Sequence, residues 1–270
     1  MKTIFFDIDG TLVDIMRGLD EPSPMTVKAF RKLKKKHRAI IASGRSYGML
    51  PKSILDLEPS GLLLMNGSCF LLDGKELFSY AVKEEDIHAV IDFFSNHEGV
   101  YFLETANEVI FTNEAGTKKL YKLLEGFEDH SIYLPPERFK NEKICMISVY
   151  FEKWETGKEF EKLFKDRFDI TLQFPDLPYY DCNIPGINKA TGIRHYLEME
   201  GLDSKDSYAF GDSVNDLQMM EGVGASVAMG NALKEVKDRA DLLTEDVLED
   251  GVTRALIRLG LIDMDIQEEL

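Results

Sequence analysis

Near its amino terminus the chain reads IFFDIDGT, residues 4–11. An apolar run such as residues 4–6 that soon reaches Gly10 predicts a buried strand entering a tight turn. Asp7 and Asp9 are two residues apart, so they lie on one side of the chain where the strand stops. Ligands of α/β sheets bind at the carboxyl ends of the strands. Two carboxylates there repel each other, so the pair indicates a hard cation, a raised pKa on one acid, or both.

The composition limits the class of protein. A chain of 270 residues holds one large domain or two smaller ones. Its net charge of −16 argues against nucleic acid or an anionic membrane as the main partner. It also disfavours passive attraction of phosphorylated substrates, so any phosphate site has to be locally positive.

The cysteines and the amino terminus indicate the compartment. Cys69, Cys145 and Cys182 are odd in number, widely spaced and without a C-x-x-C pair, which suits a reducing compartment. The chain opens with a strand rather than a signal peptide, and no apolar run approaches the length of a membrane span. We therefore expect a soluble cytoplasmic protein.

Further apolar strands end in functional-looking groups. Residues 39–42 lead into Ser43-Gly44-Arg45, where a hydroxyl and backbone N–H groups can hold a phosphate oxygen. Residues 61–65 end at Asn66-Gly67, and residues 207–210 lead into GDSVND at residues 211–216. Strands and helices in this alternation predict an α/β fold with a largely parallel sheet.

The pattern changes between residues 82 and 184, where hairpins alternate with amphipathic helices. This arrangement is typical of an α+β module with an antiparallel sheet. We therefore predict two domains, a core formed by residues 1–81 and 185–270 and a second domain inserted at 82–184.

The order of the strand-end groups is informative. The carboxyl ends of parallel strands share one edge of a sheet, which would bring these groups together. They are Asp7 and Asp9, Ser43 with Arg45, Lys189 at a helix start, and Asp212 with Asp216.

In that order, DIDGT, a strand ending in Ser-Gly, an isolated lysine and GDSVND resemble the motifs of the haloacid dehalogenase-like phosphohydrolases. Asn66-Gly67, MGNA at 229–232 and EDGV at 249–252 resemble the Cof-type subfamily, which carries a large α/β cap between the second and third motifs. The segment 82–184 matches that cap in position and size. The resemblance implies a Rossmann-like core with an inserted cap that sets substrate specificity.

The resemblance also implies the chemistry of a phosphatase. Asp7 would attack phosphorus, and Asp9 would protonate the leaving alcohol and later take a proton from water. Ser43 and the backbone N–H of Gly44 would hold a phosphoryl oxygen, while Lys189 would offset negative charge.

The same resemblance implies Mg²⁺ as the cofactor. Its ligands would be Asp7, the backbone carbonyl of Asp9 and Asp212, with Asp216 orienting either its waters or Lys189. Ala190 stands where the family often has glycine, so the turn at this position can differ from the turn that is usual in the family.

Three further residues are assigned to phosphate or substrate binding with an alternative left open. Arg45 either touches substrate or pairs with an acid. Asn66 either lies by the phosphate or only supplies a turn. Asn215 either contacts metal-bound waters or caps the following helix.

Other activities compete with a phosphatase. A dehalogenase is disfavoured because a leaving halide needs no proton from Asp9. A sugar phosphomutase and a phospho-accepting regulatory protein remain alternatives. Among small phosphomonoesters we expect sugar phosphates first, then phosphorylated cofactors or nucleotides, by analogy with the family. We expect a monomer or weak homodimer.

Overall fold

The computed structural model describes residues 1–111, 113–123, 132–133 and 142–263. The strands are β1 (Thr3–Phe6), β2 (Arg38–Ala42), β3 (Gly61–Leu64), β4 (Cys69–Leu72), β5 (Lys75–Ser79), β6 (Val100–Glu104), β7 (Val109–Phe111), β8 (Ile132–Tyr133), β9 (Met146–Tyr150), β10 (Asp169–Phe174), β11 (Leu177–Asn183), β12 (Ser207–Gly211), β13 (Ala225–Ala228) and β14 (Leu242–Leu243). The helices are α1 (Pro24–Leu33), α2 (Lys52–Leu55), α3 (Glu84–Phe94), α4 (Glu114–Leu123), α5 (Trp154–Phe164), α6 (Lys189–Met199), α7 (Leu217–Glu221), α8 (Lys234–Lys237) and α9 (Gly251–Arg258). Within these described ranges, no helix combines the length and the apolar character needed to cross a bilayer.

Within the described residues, eight strands form one sheet in the order β14-β13-β12-β1-β2-β3-β4-β5. From β14 to β3 neighbouring strands are parallel, and β4 and β5 add an antiparallel hairpin at one edge. This confirms the predicted parallel sheet. The two-residue strand β14 was not predicted, because two exposed leucines carry no strand pattern.

Strand β1 runs through the middle of this sheet and is buried on both faces. Ile4 and Phe6 pack into one apolar cluster with α1 and α9, while Phe5 packs into another with α6. Successive side chains of a strand point to opposite faces, so one apolar run supplies both clusters. Helices therefore cover both faces of the sheet.

A second sheet is formed by residues between β5 and α6 and has the order β10-β11-β9-β6-β7-β8. Its pairs are antiparallel apart from β7 with β8. We call the part of the chain from α3 to β11 the insert. The predicted fold class, a parallel-sheet core with an inserted α+β module, is confirmed, whereas the predicted boundaries at 82 and 184 stay a prediction.

The two faces of the insert's sheet differ. Apolar side chains of α3 and α5 pack on one face, where they meet residues such as Leu103 and Val149. The other face meets the core, since Met49, just after β2, packs against a cluster that includes Phe102 and Tyr179. The insert therefore lies against the loop that begins at Ser43.

Candidate active site

Four neighbouring strands end at the same edge of the first sheet. Asp212 follows β12, Asp7 follows β1, Ser43 follows β2 and Asn66 lies just beyond β3. These strands are adjacent and parallel in that order. Because parallel strands place their carboxyl ends together, the edge collects acids, a hydroxyl and an amide.

Lys189 reaches this edge from the start of α6. Its side chain is 1% exposed, and Nζ lies 2.6 Å from Oδ1 of Asp7 and 2.7 Å from Oδ1 of Asp216. Asn188 caps the helix, accepting from the backbone N–H of Thr191, which fixes where the lysine begins. The structure thus joins an acid of the first motif to an acid of the last through one ammonium.

Asp216 uses both of its oxygens within the protein. Oδ1 accepts from Lys189, and Oδ2 accepts from the backbone N–H groups of Asp212 and Ser213 at 3.0 and 3.2 Å. Of the two roles left open for Asp216, orienting Lys189 corresponds to a contact that the structure shows.

Asp212 lies against the first turn of the chain. Gly10 has a φ of +77°, and a Cβ there would come within 2.2 Å of Oδ2 of Asp212. A side chain at position 10 would therefore displace the carboxylate as well as strain the backbone. Oδ1 of Asp212 is buried and has no hydrogen-bond partner among the described residues.

The acids outnumber the nearby cations. Burial, followed by the charge of Asp216, raises the pKa of Asp7 to about 7, although Lys189 opposes the shift. Burial, followed by the charges of Asp7 and Asp216, raises the pKa of Asp212 to about 8. Burial alone would lower the pKa of Lys189, but the charges of Asp216 and Asp7 outweigh it and raise that pKa. Lys189 therefore stays charged, but its single positive charge does not balance the carboxyl groups around it, so Asp7 and Asp212 hold protons to a higher pH than free carboxyl groups do.

This arrangement fits a hard divalent cation. Asp7, Asp212 and Asp216 each offer one carboxylate oxygen, and the three oxygens lie within 4.8 Å of one another. Oxygen ligands and few carboxylates are what Mg²⁺ takes in proteins. Oδ1 of Asp212, which has no hydrogen-bond partner among the described residues, could serve as a further ligand atom, and a cation would also offset the charge of these carboxylates.

Asp9 stands apart from Lys189 and faces Arg45. Nε and Nη2 of Arg45 donate to the two carboxylate oxygens of Asp9 at 2.9 and 2.7 Å. Nη1 of the same guanidinium donates to the carbonyl of Met49 at 3.1 Å. Of the two alternatives for Arg45, pairing with an acid is the contact that this structure contains.

Ser43, Gly44 and Asn66 form one small cluster. The backbone N–H of Asn66 donates to the carbonyl of Ser43, and Oδ1 of Asn66 lies 3.0 Å from where a Cβ on Gly44 would be. Met65 and Asn66 both have positive φ, at 50° and 51°, a conformation that costs energy for residues other than glycine. Asn66 therefore lies beside the predicted phosphate loop as well as forming a turn.

Asn215 contacts its own loop, where Oδ1 accepts from the hydroxyl of Ser213. A residue that was not predicted, Asn231, braces the first motif instead. Its Nδ2 donates to the carbonyl of Gly10 at 2.7 Å, and its Oδ1 accepts from the backbone N–H of Val247. Asn231 lies three residues after the end of β13, within the MGNA motif at 229–232, and that motif is the sequence signal that could have identified it.

Comparison with known proteins gives a consistent result. The sequence model of the haloacid dehalogenase-like hydrolases matches residues 4–256. YkrA of Bacillus subtilis (strain 168), named as a phosphatase, is 31% identical over 97% of this chain and 98% of its own length.

A second relative from the same organism is YcsE, a 5-amino-6-(5-phospho-D-ribitylamino)uracil phosphatase. It is 28% identical over 95% of this chain and 94% of its own length. Among solved structures, a hypothetical protein of Geobacillus kaustophilus HTA426 superposes with a TM-score of 0.84 at 29% identity. That match covers 97% of this chain and 99% of the other.

Proposed function

The chain belongs to the haloacid dehalogenase-like hydrolases, as a Cof-type phosphatase, and we propose that it hydrolyses small phosphomonoesters with Mg²⁺ through an aspartyl-phosphate intermediate on Asp7. The observation that carries the proposal is the contact of Lys189 with both Asp7 and Asp216, beside Oδ1 of Asp212, which lacks a hydrogen-bond partner in the described part of the chain. An ammonium and a cation site around one buried carboxylate are what an anionic phosphoryl group needs at its point of attack.

In the first step, Oδ2 of Asp7 attacks phosphorus while Oδ1 stays on Lys189. The bond from phosphorus to the leaving oxygen breaks, and Asp9 gives its proton to that oxygen. Lys189 keeps Asp7 in place and offsets the charge of the incoming phosphate. Ser43 and the backbone N–H of Gly44 hold a phosphoryl oxygen.

In the second step, water attacks phosphorus and loses its proton to Asp9. The bond from phosphorus to Asp7 breaks, which restores the Asp7 carboxylate and releases inorganic phosphate. Arg45 holds the Asp9 carboxylate in one orientation, ready to accept that proton. Mg²⁺, when bound by Asp7 and Asp212 with the carbonyl of Asp9, offsets charge on the phosphoryl group.

For the substrate we propose a sugar or polyol phosphate, ahead of phosphorylated cofactors and nucleotides. YcsE supports this order, since its name describes a phosphate ester on a ribityl chain. We assign the insert to the role of a cap over the site, with the boundaries 82 and 184 given above. Its contact with the loop after Ser43 supports that role.

We further propose that the protein works in the cytoplasm as a monomer or weak homodimer. Cys69, Cys145 and Cys182 are all buried free thiols, which suits a reducing compartment.

The test is phosphate release from a panel of small phosphomonoesters, with Mg²⁺ and with chelator, for wild type and Asp7→Asn. We expect Mg²⁺-dependent release that falls by on the order of 10⁴-fold in Asp7→Asn. The control is Asp56→Asn, which changes an exposed acid paired with Lys52 and should retain activity. Substantial turnover by a folded Asp7→Asn would rule out Asp7 as the nucleophile. Ester isomerisation without phosphate release would indicate a mutase, and a long-lived phosphoprotein without turnover a phospho-accepting regulator.

A further inference from the structure

A second group of polar side chains is buried where the insert meets the core. Its members are Ser46 and Asn66 from the core, and Glu104, Ser148, Asp181 and Asn183 from the insert. We call these six residues the interface cluster. Glu104 is completely buried, Asp181 is 5% exposed and Asn66 is 9% exposed. The proposed phosphatase steps use none of the four insert residues.

The insert supplies its part through sheet register. Glu104 ends β6, Ser148 lies in β9, and Asp181 and Asn183 lie in β11. Phe102 and Asp181 both pair with Ser148, from opposite sides, so Glu104, two residues after Phe102, shares their face of the sheet. This face meets the core, whereas α3 and α5 cover the other.

The hydrogen bonds in the cluster require a proton on one carboxyl group. Oγ of Ser148 lies 2.6 Å from Oε1 of Glu104 and 3.0 Å from Oδ1 of Asp181. A serine hydroxyl has one hydrogen, so it donates to one carboxyl and accepts from the other, which must be protonated. Both hydrogens are then used within this group, and Oε2 of Glu104 is left as an acceptor.

Several oxygens in the cluster lack a partner among the described residues, namely Oε2 of Glu104, Oδ1 of Asn66 and Oγ of Ser46. Leaving buried polar atoms unpaired costs about 1–3 kcal/mol each. The hydroxyl of Ser46 is close enough to lower the pKa of Glu104, yet it makes no hydrogen bond of good geometry. These atoms point to a ligand that would satisfy them.

The cluster also adjoins the phosphate loop. Asn66 packs on Gly44 and donates from Nδ2 to Oδ1 of Asn183 at 3.0 Å. Ser46 follows Gly44 by two residues and lies beside Glu104. A phosphate held at Ser43 would therefore lie near this face of the insert.

We propose that Glu104 and Asp181, positioned by Ser148 and Asn66, are the substrate-selecting residues of the insert, and that they bind hydroxyl groups of the leaving group. This rests on the proposed phosphatase function and assigns its specificity to named side chains. A hydroxyl both donates and accepts, so it could donate to the oxygens of Glu104 and Asn66 that the described residues leave unpaired, and accept from the hydroxyl of Ser46. An ammonium only donates and would leave the hydroxyl hydrogen of Ser46 without an acceptor. Because the cluster joins residues of both parts, separation of the insert from the core exposes all of it to an entering ester.

The experiment compares two esters across isosteric variants. The readout is the ratio of kcat/KM for the best hydroxylated ester, such as glucose 6-phosphate, to kcat/KM for p-nitrophenyl phosphate. Glu104→Gln and Asp181→Asn should each lower this ratio by about tenfold or more, because a buried group loses its correct partner. The matched control is Asp86→Asn. Asp86 is also a buried acid of the insert, but it lies on α3, paired with Arg167, and the variant should keep the wild-type ratio.

A purely structural role for the cluster would lower both activities together and leave the ratio unchanged, which would overturn the inference. A preference for glucosamine 6-phosphate that both variants abolish would assign the cluster to an ammonium and also overturn it. If wild type hydrolyses no ester, the proposed function fails separately. In that case the inference is tested by calorimetry, which measures the binding of glucitol 6-phosphate to wild type and to Glu104→Gln. Equal affinity of the two proteins, or no binding by either, would overturn the inference.

Discussion

The guanidinium of Arg45 holds both carboxylate oxygens of Asp9, through Nε at 2.9 Å and Nη2 at 2.7 Å. Arg45 is itself fixed by a third hydrogen bond, from Nη1 to the carbonyl of Met49. Two parallel N–H donors set the orientation of a carboxylate as well as its distance. The proposed acid and base of the reaction is thus aligned by the loop that also supplies Ser43.

Arg45→Gln should impair catalysis far more than it impairs stability. The Asp9 side chain is 53% exposed, so the ion pair itself adds little to the free energy of unfolding. Loss of alignment should lower kcat by roughly 10²-fold, measured as steady-state phosphate release. Arg45→Lys keeps the positive charge but lacks the two parallel N–H donors of the guanidinium, so its kcat should lie between those of wild type and Arg45→Gln. Wild-type kcat in a folded Arg45→Gln would show that Asp9 needs no such alignment.

Asp212→Asn should abolish stabilisation by Mg²⁺ while leaving the metal-free protein at least as stable as wild type. Three carboxyls surround one ammonium, so removing one relieves repulsion when no cation is present. In wild type, Mg²⁺ at about 100 times its Kd should add about 2.7 kcal/mol to the free energy of unfolding. Thermal melts with Mg²⁺ and with EDTA measure both effects. An equal Mg²⁺-induced rise in Tm for the variant would remove Asp212 from the metal site.

The interface cluster should make stability depend on pH. Burial, followed by the charge of Glu104, raises the pKa of Asp181 from 3.8 to about 8, and burial raises that of Glu104 from 4.5 to about 7. The folded protein holds these protons to higher pH than the unfolded chain does. Their contribution to stability is therefore fully present below about pH 4 and is lost as the pH rises through 7 to 8.

In Asp181→Asn the side chain has no carboxyl proton to lose. The Tm of the variant minus the Tm of wild type should therefore be larger at pH 8.5 than at pH 5, by roughly 3 °C or more. Thermal melts of both proteins across that range measure the difference, with Asp86→Asn as the control for a buried acid elsewhere in the insert. A Tm difference that stays constant with pH would contradict the assignment of these shifts.

The native thiols should react slowly. Burial raises the pKa of Cys69 to about 12 and that of Cys145 to about 11, and it also raises the pKa of Cys182. Alkylation needs the thiolate, so iodoacetamide at pH 8 should leave the folded protein largely unmodified. In denaturant all three cysteines should react, as counted by mass spectrometry. Rapid modification of the folded protein would show that a thiol becomes exposed.

Much of the core follows from local pattern. The run of residues 4–6 and the turn at Gly10 are each determined by neighbours in the chain, and each is found where predicted. Ser23 accepts from the backbone N–H of Thr26, as a helix cap should. The parallel order of the strands was also predictable, because strands that alternate with helices pair in that way.

Partners across the sheets were not predictable. The sequence left two alternatives for Arg45, contact with substrate or pairing with an acid, because nothing in the local sequence places Asp9 beside it. Asn231 follows β13 without a helix or strand pattern of its own, and its contact with Gly10 spans 221 positions. Within β11, Tyr180 packs towards α3 and α5, whereas Tyr179 and Asp181 face the core, because side chains of a strand alternate.

The sequence by itself determined the strand-end chemistry, since short apolar runs followed by Asp7, Ser43 and Asp212 must end at one edge of a parallel sheet. It also determined that a module of different character interrupts the core. Only the tertiary structure decided that Lys189 joins Asp7 to Asp216, and that Glu104 and Asp181 share the hydroxyl of Ser148. Those contacts arise from the register in which the strands pair and from the position of the insert against the core. Both depend on packing between segments far apart in the chain.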